Sequence, residues 1–460
     1  MSNFILKTLE TRELKLNTIR LRGFYGGKLR KGSGGGGSGD GFPVLPGDVT
    51  RWHFGGLTNE MMAAMDDPRI EDADGKGRFL SFKNFAWKEG SGISDVYPGA
   101  LVFDGVDDYG VCENFPILTK EKGYTVVALR KWLTPENKTD DEVLVANLKK
   151  PKLEAEAWGA FGCEIKYNNT NPKIARTLSF GSMPVINVNE NNVLLCQTSN
   201  NYNGVDITSG NDTGGPYLLI CSGGRILFAN AAIWELIILD HDATEEELTK
   251  IKDYFVKTYP WLFPDQAWTV VGKTNEDKDR ATIANITGNG NDLILSNFGF
   301  IEGSGYNEEG EYAGYLVTDG VDDKIVSSSF GMGKDFTIVG DWKFIDNKKS
   351  GTGLVKGSSF YIYNTMIGLD LYINSGSVKN SLDGIKSINA ACSDGRAYDR
   401  NWNEILANTG NVVGSGGTLE VSSSGRFDRI AFKNLAIYPR ILSKDDCIKA
   451  YNYLQTLKAK

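Results

Sequence analysis

One acidic grouping recurs in this chain. Asp-Gly-Val-Asp-Asp stands at residues 104–108 and again at 319–323. Asp104, Asp107 and Asp108, with Asp319, Asp322 and Asp323, offer hard oxygen ligands on a turn, which is the chemistry of Ca²⁺. The same residues also spell a plain β-turn. Asp side chains there accept from the backbone, and Gly105 and Gly320 supply positive φ. Calcium takes about 6–8 oxygens, and no remote ligand stands out. The turn reading therefore leads, with Ca²⁺ as the metal to test.

Other chemistry is sparse. The chain has two histidines, His53 and His241, and no His-Glu-x-x-His, Gly-x-Ser-x-Gly or P-loop. Glycoside hydrolysis needs two carboxylates at a controlled separation, and no strand motif supplies them. Glu71-Asp-Ala-Asp74 and Glu276-Asp-Lys-Asp279 sit in turn-like, polar contexts. The expectation is a protein that is not an enzyme. Tyr167, Tyr202 and Tyr217 lie in or beside Asn-rich loops, where aromatic faces next to amides suit sugars. They are the candidate glycan-binding residues. Trp132 and Trp342 end apolar strands and read as core.

These residues must be positioned by strands. Fifty-four glycines, 22 Phe and 19 Tyr, with few long helical runs, favour strands and turns. The net charge of −8 gives nucleic-acid binding no electrostatic support. No window of 18 apolar residues exists, so no membrane span is expected. The N-terminus lacks the apolar stretch of a signal peptide. Six cysteines without a Cys-x-x-Cys read as reduced core residues.

The charge is unevenly placed. Residues 1–31 carry eight basic and two acidic residues, about +6, against about −14 for the rest. Leu14-Lys-Leu16 and Ile19-Arg-Leu21 alternate as short strands do. Thirty residues close no core, so this arm orders against something else, by strand addition or self-association. Arg12, Lys15, Arg20 and Arg22 are its candidate anchoring residues. A Gly/Ser linker, residues 32–42, uncouples the arm from the body.

The body repeats. Thr58-Asn-Glu60, Asn84-Phe85 and Glu89-Gly-Ser-Gly92 recur as Thr274-Asn-Glu276, Asn297-Phe298 and Glu302-Gly-Ser-Gly305. The Asp-rich turns follow in the same order. Then come Tyr124-Thr-Val-Val127 with Trp132, and Phe336-Thr-Ile-Val339 with Trp342. Each repeat closes on an apolar strand and a helix opened by Thr244 or Ser443, with Glu247 or Asp446 three residues on. Cys447 aligns with Leu248, which favours packing over redox chemistry. The expected domains are 43–262 and 263–460, joined closely by the aromatic, proline-stiffened Tyr259-Pro-Trp-Leu-Phe-Pro264.

Leu101-Val-Phe-Asp-Gly-Val-Asp-Asp-Tyr109 and the closing Leu435-Ala-Ile-Tyr-Pro-Arg-Ile-Leu-Ser443-Lys-Asp-Asp446 resemble the laminin-G-like, concanavalin A-like jelly roll. The resemblance implies an all-β chain of two tandem jelly-roll sandwiches, each ending in a short helix. The order of the recurring blocks also resembles fibre or capsid-decorating proteins of tailed phages of gut Bacteroidetes. That resemblance implies a location on the virion surface, on head or tail. It also implies binding to phage capsid or tail proteins through residues 1–31 and adhesion to host-surface or mucosal glycans. It leaves room for a homo-oligomer. The main rival is a carbohydrate-binding or adhesion module of a bacterial surface protein, and a glycan hydrolase is third.

Overall fold

The computed structural model describes residues 41–459 apart from 135–139, 153–156, 167–173, 181–184, 188–191, 208–212, 332, 346–351, 358–359, 365–367, 374–378, 384–387, 407–416 and 422–428. The basic arm, with Arg12, Lys15, Arg20 and Arg22, lies outside the described residues, as do residues 32–40 of the linker. Phe42, counted above with the linker, belongs to the body. It is buried, with its ring centroid 5.1 Å from that of Tyr254 and the Arg51 guanidinium 4.4 Å above it.

Two kinds of strand are written into the sequence. Phe79–Lys83 and Leu293–Ser296 alternate between buried and more exposed residues, as a strand with one covered face does. Thr125–Trp132 and Glu142–Leu148 are buried at every position, so layers cover both their faces.

These strands form four antiparallel sheets of eight strands. The first runs edge to edge through Val205–Asp206, Asn201–Tyr202, Leu194–Thr198, Thr125–Trp132, Asn230–Leu239, Leu101–Asp104 and Gly92–Ile93, with Val49–His53 also on Asn230–Leu239. The second runs through Val185–Asn187, Ile174–Ser179, Trp158–Lys166, Glu142–Leu148, Tyr217–Ile220, Tyr109–Cys112, Phe79–Lys83 and Arg69–Glu71. The third runs through Glu404–Leu406, Arg396–Asp399, Ile388–Cys392, Thr337–Phe344, Ile430–Tyr438, Tyr315–Val317 and Gly305–Asn307, with Gln266–Thr269 also on Ile430–Tyr438. The fourth runs through Lys379–Asp383, Gly368–Ile373, Phe360–Asn364, Thr352–Gly357, Gly417–Val421, Lys324–Phe330, Leu293–Ser296 and Thr282–Ile283. Strand for strand, the third sheet repeats the order of the first and the fourth repeats the second. The chain is all-β, with antiparallel sheets and few helices.

Each pair of sheets encloses a core. Trp52, Phe103, Tyr124, Phe161 and Leu218 lie in the first core, and Tyr124, just before the strand Thr125–Trp132, meets Phe161 of the facing sheet at 4.9 Å. Trp268, Leu316, Trp342 and Phe432 lie in the second. A third cluster joins the halves. It holds Trp234 and Val127 from the first sheet, Tyr438 and Ala436 from the third, and the covering helices.

The two closing helices start where the sequence predicts, and a further short helix packs Met62 into the first core. Helix α1, Asn59–Ala63, is capped by Thr58, whose side chain accepts from the Met61 N–H. Helix α2, Glu245–Thr258, opens with a complete capping box between Thr244 and Glu247. Helix α3, Lys444–Leu454, opens on Ser443, which accepts from the Asp446 N–H at 3.1 Å. Tyr453 on α3 meets Trp234 of the first sheet edge to face, with centroids 6.2 Å apart. The junction turn Pro260–Leu262 is buried at Trp261 and Leu262, and the Trp261 carbonyl accepts from the Tyr438 hydroxyl at 2.9 Å. The halves therefore meet through a buried apolar layer, as the aromatic junction predicts.

Candidate functional site

The two Asp turns are built alike. Asp104 Oδ1 accepts from the backbone N–H groups of Val106 (2.8 Å), Asp107 (3.3 Å) and Asp108 (3.4 Å). Asp319 Oδ1 accepts from Val321 (2.7 Å) and Asp322 (3.3 Å). Asp108 and Asp323 are fully buried and accept from the N–H of Asp104 and Asp319, at 3.1 and 2.7 Å. Gly105 and Gly320 turn the chain at φ 73° and 75°. Burial pushes the carboxyls of Asp108 and Asp323 up to about 6.

The other recurring blocks converge on these turns. Asn84 Nδ2 donates to the Asp107 carbonyl and Asn297 Nδ2 to that of Asp322, at 2.9 and 3.0 Å. Ser304 donates to Asp323 at 2.9 Å. Ser91 and Ser304 accept from the N–H of Ala86 and Gly299, both at 2.8 Å. Asn59 pairs with the backbone of Ile93, and Asn275 with that of Tyr306, each through both amide atoms. Gly92 and Gly305 lie against these amides, and a Cβ on either would run into the Asn59 or Asn275 oxygen. Four short motifs, distant in sequence, thus make one clamp per sandwich.

A calcium ion does not fit this donor set. Within each triad one oxygen of Asp104 or Asp319 is spent on two or three backbone N–H groups and one oxygen of Asp108 or Asp323 on another, while Asp108 Oδ1 is buried without a hydrogen-bond partner. Only Asp107 and Asp322 stand exposed. That falls well short of the six or more oxygens calcium requires.

The tyrosines separate. Tyr167 lies outside the described residues. Tyr202 is 1 % exposed and its hydroxyl donates to Glu164, so its ring has no face to offer a sugar. Its two-residue strand, Asn201–Tyr202, aims it into the core. Tyr217 is half-buried on the outer face of the second sheet. Beside it Trp158, Leu227 and Phe228 pack over Tyr109, Val111 and Leu219. Trp132 and Trp342 are both buried, as expected.

The same outer face carries a cavity of about 300 Å³, lined by Asp67, Arg69, Phe79, Ser81, Lys83 and Glu113 among others. Register explains the grouping. Ser81 pairs with Arg69 on one side and Val111 on the other, and Val111 pairs with Leu219. Alternation along Phe79–Lys83 then puts Phe79, Ser81 and Lys83 on one side of the strand. Phe79 is 41 % exposed, a large ring among charged groups. Arg69 lies over it, 4.8 Å from the ring centroid. Lys83 Nζ bonds Asp67 at 2.8 Å, and that bond holds the Asp67 carboxyl below the usual carboxylate range. An exposed ring flanked by hydrogen-bonding side chains can stack on an apolar sugar face while its neighbours take hydroxyls. Ser81 and Lys83 share the side of the strand that carries Phe79, but with three apolar residues in five the local pattern leaves the exposed side undecided.

A second polar cluster is closed. Glu164, at φ 51°, accepts from Trp132 Nε1 at 2.7 Å, from Arg130 Nε at 2.8 Å and from Tyr202. Glu142 pairs with Lys166 at 3.2 Å. All four charged groups are 1 % exposed or less, so no substrate reaches them. Burial opposes the charge on Arg130, and the Glu164 carboxylate more than offsets it.

No family model matches this chain, and no curated protein matches it. Among solved structures it is similar to Trypanosoma rangeli sialidase over 85 % of its own length and 68 % of that chain, at 8 % identity and a TM-score of 0.31. It is also similar to the HCR/D W1238A mutant over 80 % of its length and 96 % of that chain, at 10 % identity and a TM-score of 0.31. Likenesses this distant carry no argument about function, and what stands is the chain's own geometry: antiparallel sheets, two clamps and the aromatic, charged cavity around Phe79.

Proposed function

We propose that this chain is a glycan-binding surface protein of a phage virion, a fibre or capsid-decorating protein held to the particle by residues 1–31. In this reading its sandwiches are two concanavalin A-like jelly rolls that adhere to host or mucosal glycans without catalysis. The observation that carries glycan binding is Phe79, an exposed ring in a cavity lined by Asp67, Arg69, Ser81 and Lys83. The non-catalytic reading is supported by Glu142 and Glu164, which are buried and paired. The mount is supported by the charge split between a basic arm and an acidic body.

Two measurements test this. The full chain is titrated with host capsular and mucosal oligosaccharides, and Phe79→Ala is expected to abolish binding while the melting curve stays in place. Binding that survives Phe79→Ala removes the cavity from the reading. Purified virions are then assayed for the protein, expected in stoichiometric amount; its absence from particles rejects the virion role and leaves a bacterial adhesion module.

A further inference from the structure

Given glycan binding at this cavity, its charged side chains indicate the class of sugar. Lys83 Nζ lies 2.8 Å from Asp67 Oδ1, a full hydrogen bond. Arg69 Nη1 stands 3.7 Å from Asp67 Oδ2, close enough to feel the charge but beyond hydrogen-bond reach. Two cations thus share one carboxylate. Glu113, the other carboxylate of the lining, is taken by Arg225 at 3.0 Å. Arg69 and Lys83 match Asp67 and Glu113 in number within the lining, and with Glu113 engaged by Arg225, Asp67 is the lining carboxylate that competes for the two cations.

Arg69 is also prepared for a ligand. Its guanidinium lies over the Phe79 ring at 4.8 Å, which limits the freedom it would lose on binding. Among the described residues no hydrogen bond occupies its N–H fork. A planar fork of this kind matches a carboxylate or sulfate through two parallel bonds. The matched positions of the second sandwich carry Thr282, Asp292 and Ser296, so the arrangement is not a by-product of the fold.

We propose that this cavity binds an anionic sugar, a uronate or a sulfated unit, with Arg69 on the acid group, Lys83 beside it and Phe79 against the ring. The inference rests on the glycan reading above. Its test is calorimetric titration of the full chain with an oligogalacturonate, its methyl ester and a sulfated oligosaccharide. An anionic probe should bind about tenfold more tightly than the ester, the scale of one bidentate charge-assisted contact. Arg69→Gln should remove that preference. Asp67→Asn should strengthen anionic binding severalfold, because it deletes the competing carboxylate; both side chains are half-exposed, and melting curves verify the fold. Equal binding of acid and ester, with Arg69→Gln silent, overturns the anionic preference and leaves glycan binding intact. No binding of any probe overturns both.

Discussion

The two sandwiches share a strand order and fill it differently. In the first, Arg130 pairs across with Ile233, one step past a bulge; in the second, Trp342 pairs with Phe432, one step past the same bulge. Arg130 and Trp342 therefore hold one place. One core buries a guanidinium paired to Glu164, and the other buries an indole. The contrast recurs on the outer face of the sheet. Buried Arg51 and Glu235 form a network with the half-buried His53 and with Tyr254 and Tyr259, where the second sandwich has Ala267, Thr269 and Asn434. The hairpin clamp, by contrast, is the same in both. The fold is thus specified by strand pairing and clamps, and interior polarity varies as long as each charge finds its partner.

The largest effect should come from breaking that condition. Glu164→Ala strands Arg130 and leaves Trp132 and Tyr202 without their acceptor. The expected loss is about 3–5 kcal/mol in urea unfolding. Replacing both charges, as Arg130→Met with Glu164→Leu, should cost far less, since an apolar pair of similar volume often does as well as a buried ion pair. If the double variant is as unstable as the single one, the pair itself specifies the first core and the equivalence with Trp342 fails. On the other side of the comparison, Trp342→Ala should cost about 3–5 kcal/mol through the cavity it opens.

The shared clamp predicts a pH effect. Asp108 and Asp323 hold their protons to about pH 6 in the native state, against an ordinary value of 3.8. Between these values the native state binds more protons than the unfolded chain. Stability from these two groups therefore falls as pH rises from about 4 to about 6 and stays lost above that. Asp108→Asn with Asp323→Asn keeps an oxygen for the Asp104 and Asp319 N–H groups and removes the buried charge. The double variant should gain on wild type at pH 7 and match it at pH 4. A gain of the same size at both pH values would show that the carboxyls do not titrate across this range.

Much of this was legible because duplication writes a motif twice. Asn59, Asn84, Ser91 and Asp108 stand out only when laid over Asn275, Asn297, Ser304 and Asp323, and the clamps are built from those residues. The helix caps at Thr244 and Ser443 were equally plain, because capping chemistry is local. Three features were not legible. Matching Trp132 to Trp342 by identity was natural, but strand register places Arg130 there and sets Trp132 opposite Ala231, the counterpart of Phe344 opposite Ile430. Tyr202 sits among asparagines and glycines that spell a loop, yet a two-residue strand turns it inward to Glu164. Phe79 alternates with Leu80 and Phe82 in a strand apolar enough to hide which side meets water. In each case pairing between distant strands settled the matter, and no local pattern encodes it.

The cavity face sharpens the comparison at smaller energetic cost. Arg69, Phe79 and Lys83 are matched in register by Thr282, Asp292 and Ser296. Phe79→Ala should change stability by no more than about 0.5 kcal/mol, since the ring is surface-exposed, while removing glycan binding. Thr282→Arg, Asp292→Phe and Ser296→Lys together should give the second sandwich a measurable affinity for the same probe. A second binding event in calorimetry would show that these three positions carry recognition. Its absence would assign recognition to the wider aromatic face around Trp158, Tyr217 and Phe228.

The smallest effect expected is that of calcium. The Asp turns look like a metal site because three carboxylates come together, and they do so twice. What decides is how those oxygens are used. Each turn commits one oxygen of Asp104 or Asp319 to its backbone N–H groups, and burial raises the neighbouring carboxyls of Asp108 and Asp323 to about 6. A resident divalent ion would pull that value far down and add stability in proportion to its occupancy. Melting in EDTA and in millimolar CaCl₂ should therefore coincide, for wild type and for the Asp107→Asn, Asp322→Asn variant alike. A rise in Tm with calcium that the variant loses would convert both clamps into metal sites and would make the similarity of the two sandwiches a matter of chemistry as well as of fold.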